Sequence, residues 1–195
     1  MQGVVARRLA MVITVSESSR RDTQRAFRIP PDRMRTVYNG VDADGFSAPE
    51  DARRRPNRIV VVNSADQPIK GITQLYPVLE RLAARRPIEV TIVGEPRDRA
   101  ATDAELRRRG IAGQVRFLGK LSHDELVRAY ATATVAVVPS LYEGFGLPAV
   151  EAMACALPVV AYDVSALPEV IGEDGEAGEK GGADGEAAPT AEPDL

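Results

Sequence analysis

The 195-residue chain is 44% hydrophobic and 27% charged, with no Trp, one Cys, one His and a net charge of −3 at pH 7. One cysteine cannot staple a disulfide scaffold, and one His with one Cys is a poor stock for a zinc centre, so a reducing, cytoplasmic setting is expected. No apolar run approaches membrane-spanning length, which leaves peripheral attachment as the alternative to a soluble protein.

The charge is unevenly spread. From Gly172 to Leu195 eight acids face Lys180 alone, so residues 1–171 carry a net +4. The acidic stretch also holds six glycines and almost no large apolar residue, the composition of a disordered, solvated tail. The mildly basic body suits an anionic small ligand and falls short of a nucleic-acid footprint. At the start, two arginines precede an apolar run, but the run is short, contains Thr14 and ends in Ser16-Glu17, so a buried strand fits better than a secretory signal.

That strand is Met11–Val15. A helix capped by Ser16 follows and stops at "IPPD"; "MRTVYNGVD" then reads as a short strand with a turn at Asn39-Gly40. Residues 43–57 are polar and turn-rich, as in a linker. From Arg58 strand and helix alternate. "RIVVV" (58–62) is a buried strand, and Ile72, Leu75, Leu79 and Leu82 recur at helical spacing up to Arg86. "IEVTIVG" (88–94) is a strand, and Thr102 with Glu105 spells a capping box for a helix that Gly110 closes. "QVRFLG" (114–119) is a strand, Ser122 with Glu125 a second capping box, "TVAVVP" (134–139) a strand, Pro148–Cys155 a helix and "PVVAYD" (158–163) a strand.

Such alternation predicts an α/β fold, a parallel sheet with helices on both faces, whose ligands sit beyond the carboxyl ends of the strands. There lies "SLYEGFGLPAVEAM" (140–153). Gly144 and Gly146 permit close backbone approach, Pro148 suits the first helical position, and a glycine loop running into a helix N-terminus attracts anions. Glu143 in the loop and Glu151 one turn into the helix could both rim that pocket and accept hydrogen bonds from hydroxyls, as a phosphorylated sugar would require. A tight turn with two solvated glutamates remains the alternative. Lysine is rare here, three against 22 Arg, and Lys70 and Lys120 both fall just after predicted strands, where a compact ammonium differs in reach from a guanidinium.

The segment "PSLYEGFGLPAVEAM" resembles the E-x7-E segment of retaining GT-B glycosyltransferases, in particular glycosyltransferase family 4. "VITVSESSRRD", "VYNGVD", "KG", "VRFLGKLSHDELVRAYATATVAVVPS" and "LPEVIG" follow that family's order, so the resemblance covers about residues 12–172. It implies a Rossmann-like domain, the carboxyl-terminal half of a GT-B fold, that binds a nucleotide-sugar donor and transfers the sugar to an acceptor hydroxyl with retention and without a metal. Lys70 and Glu143 would be catalytic, the first neutralising the departing diphosphate and the second contacting the donor sugar. Gly71, Leu118, Gly119, Gly144, Phe145, Gly146 and Leu147 would bind the donor, with Leu118-Gly119 against the nucleobase, and Glu151 would hold the ribose hydroxyls. The implied organisation is a remnant of the amino-terminal domain (1–42), a linker (43–57), the donor domain (58–171) and the acidic tail (172–195), a donor-binding half truncated at both ends. The acceptor would be a sugar, a lipid-linked sugar or another small molecule.

The chain departs from the pattern in places. Ala65 and Asp66 occupy the region of an arginine usual before the lysine, Ala156 stands at a usual glycine, and Val164-Ser165 replaces a glycine pair. Two alternatives stay open: a non-catalytic nucleotide-sugar-binding fragment or degenerate remnant needing a separate amino-terminal domain, and another GT-B-like enzyme such as an epimerase. Asp42-Ala43-Asp44 reads as an acidic turn rather than a metal motif, His123 as a surface residue, and Cys155 as core. No G-x-G-x-x-G follows the Arg58–Val62 strand, which argues against a nicotinamide dehydrogenase.

Overall fold

The computed structural model describes residues 9–62 and 68–172. The expected acidic tail from Glu173 onward, and Ala65 and Asp66 ahead of Lys70, lie outside the described residues. The described residues open with β1 (Val12–Thr14), α1 (Glu17–Phe27) and β2 (Met34–Thr36), the strands pairing in parallel with Val12 opposite Met34. Then come β3 (Arg58–Val62), α2 (Ile72–Ala83), β4 (Glu89–Val93), α3 (Arg99–Arg108), β5 (Val115–Phe117), α4 (His123–Thr132), β6 (Val135–Val138), α5 (Leu147–Ala154), β7 (Val159–Ala161) and α6 (Leu167–Ile171).

The five later strands form one parallel sheet in the order β5-β4-β3-β6-β7. Val60 and Val61 point to opposite faces and are both buried, because helices cover each side. Ile59, Val61, Val90 and Ile92 pack under α2 and α3, whereas Val60, Val93 and Ala136 pack under α4 and α5. The chain builds outward from β3 to β5 and then crosses back to lay β6 on β3's other side. Where the order reverses, the loops after β3 and β6 diverge to opposite faces and leave a crevice at their carboxyl ends.

Local chemistry explains most element starts. Ser16 is extended and its Oγ accepts from Ser19 N at 3.0 Å, capping α1. Ser122 and Glu125 form the expected capping box of α4. The Thr102–Glu105 box does not form: α3 starts a turn earlier, where Asp98 is extended and its Oδ1 accepts from Ala101 N at 2.9 Å. Asp98 wins the cap, and Glu105 pairs with Arg108 and Arg109 instead. The turn expected at Asn39-Gly40 sits at Asp42–Phe46, since Asp42 accepts from Gly45 N through its side chain and from Phe46 N through its carbonyl. Pro148 is the second residue of α5, still in the donor-free first turn. The segment 43–57 is pinned to the later chain: Phe46 packs on His123 and Tyr130, and its carbonyl accepts from Cys155 Sγ at 3.0 Å.

Ala156, where a glycine was expected, has φ 53°, the left-handed conformation that ends α5. Ala156→Gly should therefore stabilise the protein by about 1 kcal/mol, because relief of the side-chain penalty exceeds glycine's extra unfolded-state entropy. Urea unfolding checks it through a higher midpoint at unchanged slope. Among the described residues, no helix is long and apolar enough to cross a membrane.

Candidate functional site

The crevice between β3 and β6 brings Lys70 and Glu143 together from 73 residues apart. Lys70 ends the short 3-10 turn Pro68–Lys70, and Gly71 caps α2 with φ 69°. A Cβ on Gly71 would lie 1.7 Å from the Pro139 carbonyl oxygen, so only glycine lets this arm approach the chain leaving β6. Leu141 N donates to Ile69 O at 2.8 Å and completes the stitch. Lys70 Nζ then donates to Glu143 Oε1 at 2.8 Å, and Ser140 Oγ donates to the same oxygen at 2.7 Å. With side chains only 20% and 11% exposed, the two charges are mostly out of water, and an anion approaching Lys70 has to compete with the carboxylate.

The glycine loop is held from two sides. Glu143 N donates to Ser165 Oγ at 2.8 Å and Glu143 O accepts from Ala166 N at 3.3 Å. Gly144 O accepts from Ser16 Oγ at 2.7 Å and from Ser19 Oγ at 2.9 Å. Tyr142 Oη adds a bond of 3.2 Å to Asp22 of α1. Gly146 turns into α5 at φ 101°, where a Cβ would lie 2.8 Å from Leu167 Cδ2. Phe145 is buried with its ring 6.5 Å from that of Tyr38, while Leu147 is exposed. Ser165, at a usual glycine, sits at φ 48°; its hydroxyl's bond to Glu143 offsets part of that strain.

Glu151 faces a different partner from Glu143. Its carboxylate accepts from Tyr130 Oη of α4 at 3.0 Å. Burial pushes this carboxyl up from the usual range, and the Tyr130 hydrogen bond and nearby His123 only partly oppose it. Leu118, exposed, and Gly119, at φ 66°, leave β5 beside Gly94, whose N–H donates to Gly119 O at 2.8 Å. On α6, Glu169 accepts from Glu17 N at 2.7 Å and Ser18 N at 3.1 Å, the first N–H groups of α1. Burial pushes the Glu169 carboxyl up, but these bonds and the Tyr38 hydroxyl outweigh it and hold the group below the carboxylate range.

Lys70, Gly71, Glu143, Gly144 and Gly146 thus share one crevice, whereas Leu118 and Gly119 leave the sheet at the end of β5, beyond β4. Ser16, Ser19, Ser140, Ser165 and Tyr130, which hold these elements, were not singled out as site residues in the sequence. Ser16 left a signal there only as a helix cap, and Ser165 only as a serine at a usual glycine. Among the described residues no group of three or more His, Cys, Asp or Glu side chains could hold a metal ion.

Residues 46–181 match the family described as glycosyl transferases group 1, and residues 2–44 match glycosyltransferase family 4. The chain belongs to the group 1 glycosyl transferases. A mannosyltransferase of Mycolicibacterium hassiacum, named MMP alpha-(1->4)-mannosyltransferase, is 42% identical over 161 residues, covering 83% of this chain and 39% of that protein. The sucrose-phosphate synthase of Thermosynechococcus elongatus superposes on this glycosyltransferase chain with a TM-score of 0.73 at 26% identity, over 85% of this chain and 44% of its own. The Anabaena HepE protein, solved in complex with UDP and glucose, shares the fold with a TM-score of 0.67 at 24% identity, over 86% of this chain and 48% of its own. The chain spans 32–42% of the length of eight curated relatives it matches.

Proposed function

We propose that the protein is the donor-binding part of a glycosyltransferase that moves a sugar from a nucleoside diphosphate to an acceptor hydroxyl with retention at the anomeric carbon. The observation that carries this reading is the meeting of Lys70 with Glu143 at the sheet's switch point, under a glycine loop that opens α5. In the proposed reaction the acceptor oxygen bonds to the anomeric carbon on the face the diphosphate leaves. The carbon–oxygen bond to the diphosphate breaks, and the acceptor's proton departs with the phosphate oxygen. Lys70 stabilises the charge growing on that leaving group, a contribution larger in a dry crevice than in water. Glu143, released from Lys70 by the incoming diphosphate, accepts from the sugar hydroxyls. Glu151 accepts from the ribose hydroxyls, and Leu118 with Gly119 lies along the base. No protein side chain in this scheme calls for a metal. The acceptor would be held by an amino-terminal domain of the kind that the GT-B resemblance implies.

Thermal unfolding with UDP, GDP, ADP and their glucose and mannose conjugates tests the reading. A ligand at about 100 times its Kd adds about 2.7 kcal/mol to the native state, roughly 5–10 °C in a chain of this size. One nucleotide series should give that shift, and Lys70→Ala should abolish it. Glu143→Gln should bind the bare diphosphate more tightly, because Lys70 loses its competitor, yet discriminate less between sugars. A cooperative transition that none of these ligands moves would overturn the proposal, and binding without transfer to any acceptor would leave the non-catalytic alternative.

A further inference from the structure

We propose that Tyr130 is a positioning residue for nucleotide recognition: its phenol fixes one oxygen of the Glu151 carboxylate and leaves the other to accept from the ribose diol. The inference rests on the donor-site reading and adds a residue to it. Tyr130 is 1% exposed, inside the apolar cluster of Val127, Ala133, Ala152 and Cys155. Phenylalanine would fill that space equally well, so packing does not account for the hydroxyl, which would be costly to bury unbonded. The hydroxyl lies 3.0 Å from Glu151 Oε2 and 3.3 Å from Pro148 O, both on α5. It therefore ties α4 to the opening turns of the helix that the glycine loop starts.

The character of Glu151 points the same way. Among the described residues the carboxylate has no ion-pair partner within bonding distance. The titratable groups around it are Tyr130 and His123 from α4 and Cys155, which caps the end of its own helix. A half-buried carboxylate held by one neutral hydroxyl keeps acceptor capacity on its second oxygen, and a diol is a neutral donor pair suited to it. Without the phenol the side chain regains rotamer freedom, and its charged form loses the bond that offsets burial. A bond that merely joined α4 to α5 would support every ligand of the crevice alike, whereas a positioning bond supports the diol selectively.

The experiment compares uridine, guanosine and adenosine diphosphates with their 2′,3′-dideoxy counterparts by calorimetric titration, on the wild type, Tyr130→Phe, Glu151→Gln and the double variant. The wild type should prefer the ribose form of its nucleotide by tenfold or more. Tyr130→Phe, which keeps the ring, should melt cooperatively, lose most of that preference and bind the dideoxy form nearly as the wild type does. The double variant should lose no more preference than Glu151→Gln alone, as expected of two residues acting through one carboxylate. In Tyr130→Phe the residual preference should also vanish at a higher pH than in the wild type as the solution is acidified. An undiminished preference in Tyr130→Phe, or an equal weakening of both forms, overturns the role of Tyr130 while leaving the donor site intact. Failure of the wild type to bind any of the six nucleotides overturns the donor-site reading itself, and this inference with it.

Discussion

Glu151→Gln should give a protein that is more stable at pH 7 and a poorer binder of nucleoside diphosphates. Burial raises the folded-state pKa of Glu151 above its ordinary value of 4.5. An acid shifted in this direction contributes stability fully below its unfolded pKa, and that contribution is lost as pH rises through the folded value. Ionised in the native state, this half-buried carboxylate carries a charge whose burial the Tyr130 hydrogen bond and His123 only partly offset. Glutamine removes the charge and can still accept from Tyr130, so the melting temperature at pH 7 should rise. The gain should shrink on acidification and disappear below the unfolded pKa. Hydrogen bonds to a charged acceptor contribute about 1.5–3 kcal/mol, so nucleotide affinity should fall roughly tenfold to a hundredfold. Melting curves from pH 4 to 8, with and without nucleotide, check both halves. A lower melting temperature with undiminished affinity would make Glu151 a structural residue.

Gly71→Ala is expected to be the most damaging single-methyl addition near the crevice. The new Cβ would meet the Pro139 carbonyl at 1.7 Å, and φ 69° strains any side chain besides. The left-handed conformation costs roughly 1–2 kcal/mol, and backbone displacement should bring the total to about 3 kcal/mol or more. That is a fall of roughly 6–12 °C in a chain of this length. Separating residues 69–71 from 139–141 also pulls Lys70 from Glu143, so any nucleotide-induced stabilisation should vanish in this variant. Gly113→Ala is the control, since nothing lies within 4 Å of its Cβ and its φ is ordinary. A melting temperature for Gly71→Ala within 2 °C of the control's (roughly 0.5–1 kcal/mol) would contradict the contact described here.

The strand–helix alternation was legible because buried strands such as Arg58–Val62 and Glu89–Val93 are runs of β-branched residues between helical repeats. Capping was legible where one candidate stood alone, as at Ser122, and misread at Thr102, where Asp98 lay one turn upstream and competed for the same helix. The left-handed angles at Ala156 and Ser165 were legible only through the glycines usual at those places in the family, because alanine and serine do not themselves announce that conformation. The Lys70–Glu143 pair depends on two loops meeting across the sheet, and no local pattern reports a contact over 73 residues. Family resemblance put both residues in one site, but not that they neutralise each other. The Tyr130–Glu151 bond was hidden differently: at helical spacing, a tyrosine reads as one more apolar position.

The serines of α1 that hold Gly144 O, and the Glu169 carboxylate that caps the same helix, bear on modular exchange. A chimera cut at residue 43, the apparent linker, would inherit Lys70, Glu143 and Glu151 but none of the hydroxyls from Ser16 and Ser19 that hold the loop. It would also leave Glu169 without the N–H groups of Glu17 and Ser18. The smallest transplantable cassette therefore begins upstream of β1, and a swapping experiment that respects this boundary moves the crevice together with its buttress.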